Sequence, residues 1–208
     1  MEHKHLPLLM MIIFMLMIIV GRVAFRFILT GNSGIRPGTR LKTKKEVLIS
    51  FVMFGVVGVQ IVLSWLFSVS RLDEQVELGV VATWLGLVLC VFGILFSNYA
   101  QYAMGEQWRI GVDPDEKTKL VTTGIYGKIR NPIYTGCIVF GTGLLLLAPH
   151  VLFVITGLVG YFAVRAYVRD IEEPYLAKLH GDDYRQYLSR TGAFFPRLSD
   201  LMSVSRTD

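Results

Sequence analysis

Two groups of polar residues in the second half of the chain could do chemistry. The first is the run Arg130-Asn131-Pro132, in which Pro132 suits the first turn of a helix and Asn131 its N-cap. The free N–H groups of such a helix start, beside Arg130, would attract an anion such as a carboxylate or a phosphate. These residues alone fit a capped helix end at a lipid surface equally well.

The second group contains Arg165, Arg169, Glu172 and Glu173, which fall within about two turns of helix. Arg169 and Glu173 are spaced i, i+4, as in a helical ion pair. One interpretation is a solvated helix end with ion pairs worth a few tenths of a kcal/mol each. The other is a polar cavity that receives a cationic or hydroxyl-rich ligand.

Long apolar segments must position these groups. The chain has 208 residues, of which 53% are hydrophobic and 18% charged, and its mean hydropathy is +0.52. Because a helix needs about 20 apolar residues to cross the hydrocarbon layer, the segments 6–29, 47–69 and 78–99 are predicted to be transmembrane helices. The first is longer than the apolar region of a signal peptide and lacks a small-residue cleavage site, so it is expected to remain in the mature protein.

A fourth apolar segment, 133–168, is too long for one span and is interrupted by Pro149 and His150. It is predicted to be a tight hairpin of two helices, although its short arms also fit a re-entrant or merely buried hairpin. Gly136, Gly141 and Gly143 in its first arm are expected to allow close helix packing.

Lys and Arg residues predict the orientation. They are concentrated in the loops 30–46 and 100–132 and in the tail after residue 168, which are therefore assigned to the cytoplasm. The N-terminus is predicted to be outside and the C-terminus cytoplasmic, with the cell membrane as the default location. The net charge of +5 then indicates affinity for anionic lipids, and nucleic acid is not an expected partner.

The predicted fold is an all-α integral membrane protein with about five transmembrane helices, the last two forming the hairpin. Residues 1–100 would hold three N-terminal spans, and 101–208 a catalytic region with the hairpin 133–168. The 101–132 loop and the C-terminal tail flank this hairpin, so they should meet in one cytoplasmic site. The isolated Cys and His residues show no ligand spacing, and no metal is predicted.

The residues from about 104 to 196 resemble the isoprenylcysteine carboxyl methyltransferase family and related membrane phospholipid methyltransferases. The resemblance rests on Leu120-Val121-x-x-Gly124-x-Tyr126, Arg130-Asn131-Pro132-x-Tyr134, Glu172-Glu173, Gly181-x-x-Tyr184-x-x-Tyr187 and Phe195-Pro196. It implies an S-adenosylmethionine-dependent methyltransferase with a lipophilic acceptor. The cofactor-binding residues that it implies are Leu120, Val121, Gly124, Tyr126, Arg130, Asn131, Pro132, Tyr134, Glu172 and Glu173.

Arg169 and Glu173 are the candidate catalytic residues, Arg169 as the group that orients the acceptor. Where the family often has His, this chain has Asn131, which cannot take up a proton near neutral pH. Asn131 could still position a ligand through hydrogen bonds. A carboxylate acceptor would need no base, because it is already ionised.

The resemblance favours carboxyl O-methylation of a prenylcysteine-like acceptor, but another amphiphilic acid, a thiol or a lipid amine stays open. Two other classes of function are compatible with the sequence. A membrane reductase of the sterol type would bind NADPH in a similar C-terminal region. A non-enzymatic membrane adaptor would use its polar tail to dock a partner.

Overall fold

The computed structural model describes residues 3–21, 23, 24, 27, 43–73, 75–105 and 119–197. Within these ranges the protein is an all-α membrane protein without a named strand. The helices are α1 (Leu6–Met15), α2 (Lys44–Ser68), α3 (Gly79–Met104), α4 (Pro132–Leu147), α5 (Val151–Tyr167) and α6 (Glu173–Arg190). Wider π-helical turns follow α1 and α5, at Leu16–Gly21 and Val168–Glu172, and a 3₁₀ turn lies at Gly124–Gly127.

The helix lengths confirm the predicted fold class. In the described ranges, α2, α3 and the continuous helical run Val151–Arg190 are long and apolar enough to cross a membrane. The helices Leu6–Ile18 and Pro132–Leu147 are apolar but shorter, and the 16 residues of α4 span only about 24 Å. The predicted break at Pro149 is present, because α4 ends at Leu147 and α5 begins at Val151.

The two arms of the hairpin pack against different N-terminal helices. The main neighbour of α4 is α3, and the main neighbour of α5 is α2. We call the end of the bundle that contains Lys44, Met104 and Pro132 the site end, and the opposite end, with Ser68 and Val151, the far end. Helix α3 extends past residue 100 and packs against α4. The division into units 1–100 and 101–208 stays a prediction.

Glycines allow α3 and α4 to approach backbone to backbone. A Cβ atom built on Gly86 would lie 2.9 Å from the Gly143 carbonyl oxygen, and one on Gly93 would lie 2.7 Å from that of Gly136. The predicted packing role is therefore confirmed for Gly136 and Gly143. It is wrong for Gly141, where an added Cβ would meet nothing within 4 Å.

Polar contacts fix the loops at the far end. Lys4 Nζ lies 2.8 Å from the Asp73 carboxylate, which ties the start of the chain to the loop between α2 and α3. The Gln75 side-chain oxygen accepts a hydrogen bond from Val151 N–H at 2.9 Å. This loop thus caps the N-terminus of α5 and holds the hairpin turn in place.

Candidate functional site

The start of α4 is joined to a segment far along the chain. Ile129 and Gly192 form a parallel β-bridge. Arg130 N–H donates to the Gly192 carbonyl at 2.9 Å, and Asn131 N–H donates to the Ala193 carbonyl at 3.1 Å. We call residues 191–194 the latch segment, because they fasten the residues after α6 to the residues before α4.

Asn131 occupies the predicted N-cap position of α4, but its side chain makes a different contact. It forms no capping hydrogen bond, and its Nδ2 donates to the Ala193 carbonyl at 3.1 Å. The buried Thr135 hydroxyl, 2.6 Å from the Phe194 carbonyl, adds a second side-chain contact to the latch segment. Asn131 therefore holds the latch segment, a role that needs no proton transfer.

Arg130 connects three elements through its guanidinium group. Its Nη2 lies 3.1 Å from Glu173 Oε1 at the start of α6, and the two side chains are only 13% and 22% exposed. Nη1 donates to the backbone carbonyls of Leu188 and Thr191. Nε is buried and has no hydrogen-bond partner among the described residues, so within them this cluster retains one unsatisfied donor.

Glu172 lies beside this ion pair, at the end of the π-helical turn. Its Oε1 accepts a hydrogen bond from the Tyr134 hydroxyl at 3.1 Å. Burial of the carboxyl group raises the pKa of Glu172 to about 7, the negative charge of Glu173 adds to this rise, and the Tyr134 hydrogen bond opposes it. Adjacent Glu residues therefore have different partners, Tyr134 for Glu172 and Arg130 for Glu173.

The structure does not bring Arg169 to these residues. Its guanidinium pairs with Asp170 at 2.8 Å, and its side chain is 69% exposed. The predicted i, i+4 pair of Arg169 with Glu173 is not found among the described ion pairs, where Glu173 is paired with Arg130. The difference has a local reason, because Arg130 reaches Glu173 from the start of α4 while the exposed Arg169 pairs with the adjacent Asp170. The catalytic role of Arg169 stays a prediction.

The predicted loop residues provide anchoring. Tyr126, which is 3% exposed, donates through its hydroxyl to the Ala100 carbonyl of α3, and its own carbonyl accepts from the Tyr187 hydroxyl at 2.7 Å. Gly124 begins this turn at a φ of +60°, a left-handed conformation that favours glycine. Leu120 and Val121 lie half-buried in irregular chain before it. The rest of the predicted loop, 106–118, lies outside the described residues.

The motif Gly181-x-x-Tyr184-x-x-Tyr187 places two aromatic rings against this anchor. Gly181 has a φ of +57°, and helix α6 kinks there. Tyr184 and Tyr187 are both buried, with ring centroids 6.1 Å apart. The kink thus turns the second half of α6 so that it can reach the Tyr126 turn.

We call the four residues Arg130, Tyr134, Glu172 and Glu173 the acid–arginine cluster. Its free Arg130 Nε–H can donate to a carboxylate, and its Glu172 carboxylate can accept from an ammonium group or from ribose hydroxyls. This donor and acceptor set fits the amino-acid and ribose portions of S-adenosylmethionine. In the described part of the chain, no group of three or more His, Cys, Asp or Glu side chains could hold a metal ion.

Sequence reasoning did not identify the latch segment. Thr191, Gly192, Ala193 and Phe194 form no helix or strand pattern, and all four act through backbone carbonyls that have no sequence signature. Within this segment, Gly192 is the residue whose type reflects its position, because an added Cβ would collide with the Phe195 carbonyl oxygen.

The acid–arginine cluster lies inside the region that matches known proteins. Residues 81–183 match the family model of the phospholipid methyltransferases, PEMT. This match runs from the start of α3 into α6, so this part of the chain is similar to the phospholipid methyltransferases. It is a coarser assignment than the isoprenylcysteine carboxyl methyltransferases that the motifs resemble.

A curated relative matches as well. The chain is 32% identical over 125 residues to the nickel-cobalt-cadmium resistance protein NccN of Alcaligenes xylosoxydans xylosoxydans. The alignment covers 59% of this chain, and the chain spans 57% of the length of that relative.

The raised pKa of Glu172 predicts a pH-dependent stability. The folded state holds this proton up to a pH of about 7, whereas the unfolded chain releases it near 4.5. The free energy of unfolding should therefore fall as the pH rises between these values. Glu172→Gln should remove that fall and be more stable than the wild type at pH 8. Unfolding in detergent at pH 5 and pH 8 checks this, and an equal pH dependence in both proteins would contradict it.

Proposed function

We propose that this protein is an S-adenosylmethionine-dependent methyltransferase that acts on a lipophilic acceptor at the membrane. The observation that carries the proposal is the acid–arginine cluster. It joins the starts of α4 and α6 within the region matched by the phospholipid methyltransferase model, and it retains a buried donor, Arg130 Nε, that has no partner among the residues that the structure describes. A buried donor without a partner is costly unless a ligand satisfies it.

Each residue of the cluster would make a different contact with bound S-adenosylmethionine or with a neighbouring side chain. Arg130 Nε–H would donate to the carboxylate of the bound amino acid, while Glu173 keeps the guanidinium in place. Glu172 would accept hydrogen bonds from the ammonium group or the ribose hydroxyls, and Tyr134 would orient the Glu172 carboxylate. Leu120, Val121, Gly124, Tyr126, Asn131 and Pro132 would shape the surrounding site.

When bound, the cofactor supplies an electrophilic methyl group on a sulfonium. The chain would align the acceptor atom at roughly 3–3.5 Å from that methyl carbon and keep water out. Arg169 is the candidate for orienting the acceptor, and its exposed position beside α5 leaves it accessible to an amphiphile. A prenylcysteine-like carboxylate is the acceptor that the resemblance favours, and it stays a prediction.

The name of the relative NccN connects that protein with resistance to nickel, cobalt and cadmium. We do not transfer this role to the present chain. The alignment covers little more than half of each protein, and the described residues offer no cluster of metal ligands. Methyl transfer is the function that the acid–arginine cluster supports directly.

Calorimetric titration of the detergent-solubilised full chain with S-adenosylmethionine tests the proposal. We expect saturable binding that Glu173→Gln weakens at least tenfold, because the substitution removes the charge that holds Arg130. Asp182→Asn is the matched control, since this exposed acid pairs with Arg185 on the outer surface of α6. Its affinity should equal that of the wild type.

The same titration separates the competing functions. Binding of NADPH in place of S-adenosylmethionine would indicate that the protein is a reductase and not a methyltransferase. Absence of binding for both ligands, with partner capture that survives Glu173→Gln, would favour a membrane adaptor. Either result would overturn the proposal.

A further inference from the structure

The chain folds back on itself directly after the latch segment. Gly192 lies so close to the returning chain that an added Cβ would collide with the Phe195 carbonyl oxygen. Two residues after Phe195, the Arg197 guanidinium donates to the backbone carbonyls of Leu188 and Ser189 at the end of α6. Residues 191–197 therefore form a tight loop that leaves α6 and returns to it. We call its three apolar residues the tip of this loop: Phe194, Phe195 and Pro196.

The loop points from the site end toward the middle of the bundle. The Gly192 carbonyl accepts a hydrogen bond from Arg130 N–H, which precedes α4. The Phe194 carbonyl accepts from the Thr135 hydroxyl, which lies one turn inside α4. Because α4 contains no charged residue, the tip advances along the start of an uncharged helix.

The Phe194 side chain reaches the apolar part of α5. It is 7% exposed, and its ring centroid lies 6.3 Å from that of Tyr161. Tyr161 precedes Tyr167, the last residue of α5, by six positions, or about 9 Å along the helix axis. The single charged residue of α5, Arg165, lies between them. Phe194 therefore contacts α5 at a point nearer the middle of the bundle than Arg165.

The backbone of the loop is suited to a medium without water. Each of the four carbonyls of residues 191–194 accepts a hydrogen bond from one of three residues, Arg130, Asn131 and Thr135. Pro196 has no N–H group that would need a partner. Irregular backbone at the depth of the lipid hydrocarbon is tolerated only where protein satisfies its polar groups. The carbonyls of the latch segment meet this requirement.

The tip presents an apolar side chain outward at this depth. Phe195 is 59% exposed, as is Phe162, whose ring meets the edge of Tyr161 at 5.4 Å. We infer that the tip inserts into the hydrocarbon of the site-end leaflet, where Phe195 contacts lipid acyl chains. The exposed Arg190 and Arg197, at the two ends of the loop, lie at the level of the lipid headgroups. This inference does not depend on methyl transfer.

Insertion of the tip couples the bilayer to the acid–arginine cluster. The carbonyls of Leu188 and Thr191, which hold the Arg130 guanidinium, lie directly before the tip along the chain. Lipid that holds the tip therefore also holds the acceptors that orient Arg130. The bilayer thus acts as a structural partner of this loop.

Tryptophan fluorescence tests the contact with lipid. The three tryptophans of the full chain, Trp65, Trp84 and Trp108, are replaced by phenylalanine to give a dark background. Phe195→Trp is introduced, and the protein is placed in nanodiscs of phosphatidylcholine with or without bromine on the acyl chains. We expect the brominated lipid to lower the emission at least twofold and aqueous acrylamide to leave it unchanged.

Two further proteins calibrate the signal. Retaining Trp84, which is 61% exposed on the apolar α3, gives the response of a tryptophan in lipid. Gln186→Trp places a tryptophan on the exposed surface of α6, where acrylamide and not the brominated lipid should quench it. If Phe195→Trp responds as Gln186→Trp does, the tip lies in water and the inference is overturned. Emission that neither quencher lowers would show that Phe195 contacts protein, which also overturns it.

A charge at the tip tests the anchoring. Phe195→Asp would place a carboxylate in hydrocarbon, which is unfavourable, so the loop should leave the bilayer. Trypsin should then cut between Arg190 and the buried Thr191 at least tenfold faster than in the wild type, as measured by mass spectrometry on gel-filtered nanodiscs. Phe195→Leu keeps an apolar side chain and should be cut at the wild-type rate. Equal cutting of Phe195→Asp and the wild type would contradict insertion.

Discussion

Arg130→Ala should lower the affinity for S-adenosylmethionine roughly 100- to 1,000-fold. The substitution removes the free Nε donor and leaves Glu173 without its cation. Removing one partner of a buried, hydrogen-bonded charge pair between protein and ligand costs about 2–5 kcal/mol of binding free energy, and 1.4 kcal/mol corresponds to a factor of ten in affinity. Calorimetric titration of wild type and variant measures the change.

The control for Arg130 is an exposed arginine of α6. Arg185→Ala removes a 77%-exposed arginine whose pair with Asp182 is solvated, so it should change the affinity less than twofold. Arg130→Lys separates charge from geometry. Lysine keeps the positive charge beside Glu173, but it lacks the planar guanidinium that also donates to the Leu188 and Thr191 carbonyls. The affinity of Arg130→Lys for S-adenosylmethionine should therefore lie between those of the wild type and Arg130→Ala. Wild-type affinity in a folded Arg130→Ala variant would contradict the assignment.

Gly93→Leu should prevent stable assembly of the bundle. A Cβ atom at this position would lie 2.7 Å from both the Gly136 carbonyl oxygen and the Phe140 backbone nitrogen. Neither atom can move without separating α3 from α4, because both belong to a helix backbone. Overpacking by one or a few methylenes typically costs about 1–3 kcal/mol, and a leucine against rigid backbone should exceed that range.

Thermal unfolding of the detergent-solubilised protein, followed by gel filtration, measures this loss. The matched control is Gly141→Leu, because a side chain there enters open space on the neighbouring surface of α4. It should unfold at the temperature of the wild type. Equal unfolding temperatures for Gly93→Leu and Gly141→Leu would show that the close α3–α4 contact is absent in the membrane protein.

The sequence was sufficient to predict the apolar helices and the break at Pro149, because length and hydropathy determine both. It was insufficient for the contacts between helices. Gly136 and Gly141 look equivalent in the chain, and only their direction relative to α3 decides that one packs tightly and the other does not. Helical periodicity alone does not specify which neighbour a face meets.

The same limit applies to the candidate site. The motif residues Arg130, Tyr134, Glu172 and Glu173 do lie together, as the hairpin topology indicated. The i, i+4 spacing predicted an ion pair of Arg169 with Glu173, but Arg169 pairs with the adjacent Asp170 and Glu173 pairs with Arg130. Spacing along one helix does not specify which charge from another element will reach a side chain.

The latch segment has a consequence for biosynthesis. Ala193 follows Asn131 by 62 residues, so the start of α4 leaves the ribosome well before its partner exists. At about 5–20 residues per second, the interval is roughly 3–12 s. Throughout this time the Arg130 guanidinium lacks the Thr191 carbonyl and is free to bind anionic lipid headgroups. Anionic lipids therefore compete with the Thr191 carbonyl for Arg130 while the protein is being made, and their amount in the membrane affects this competition.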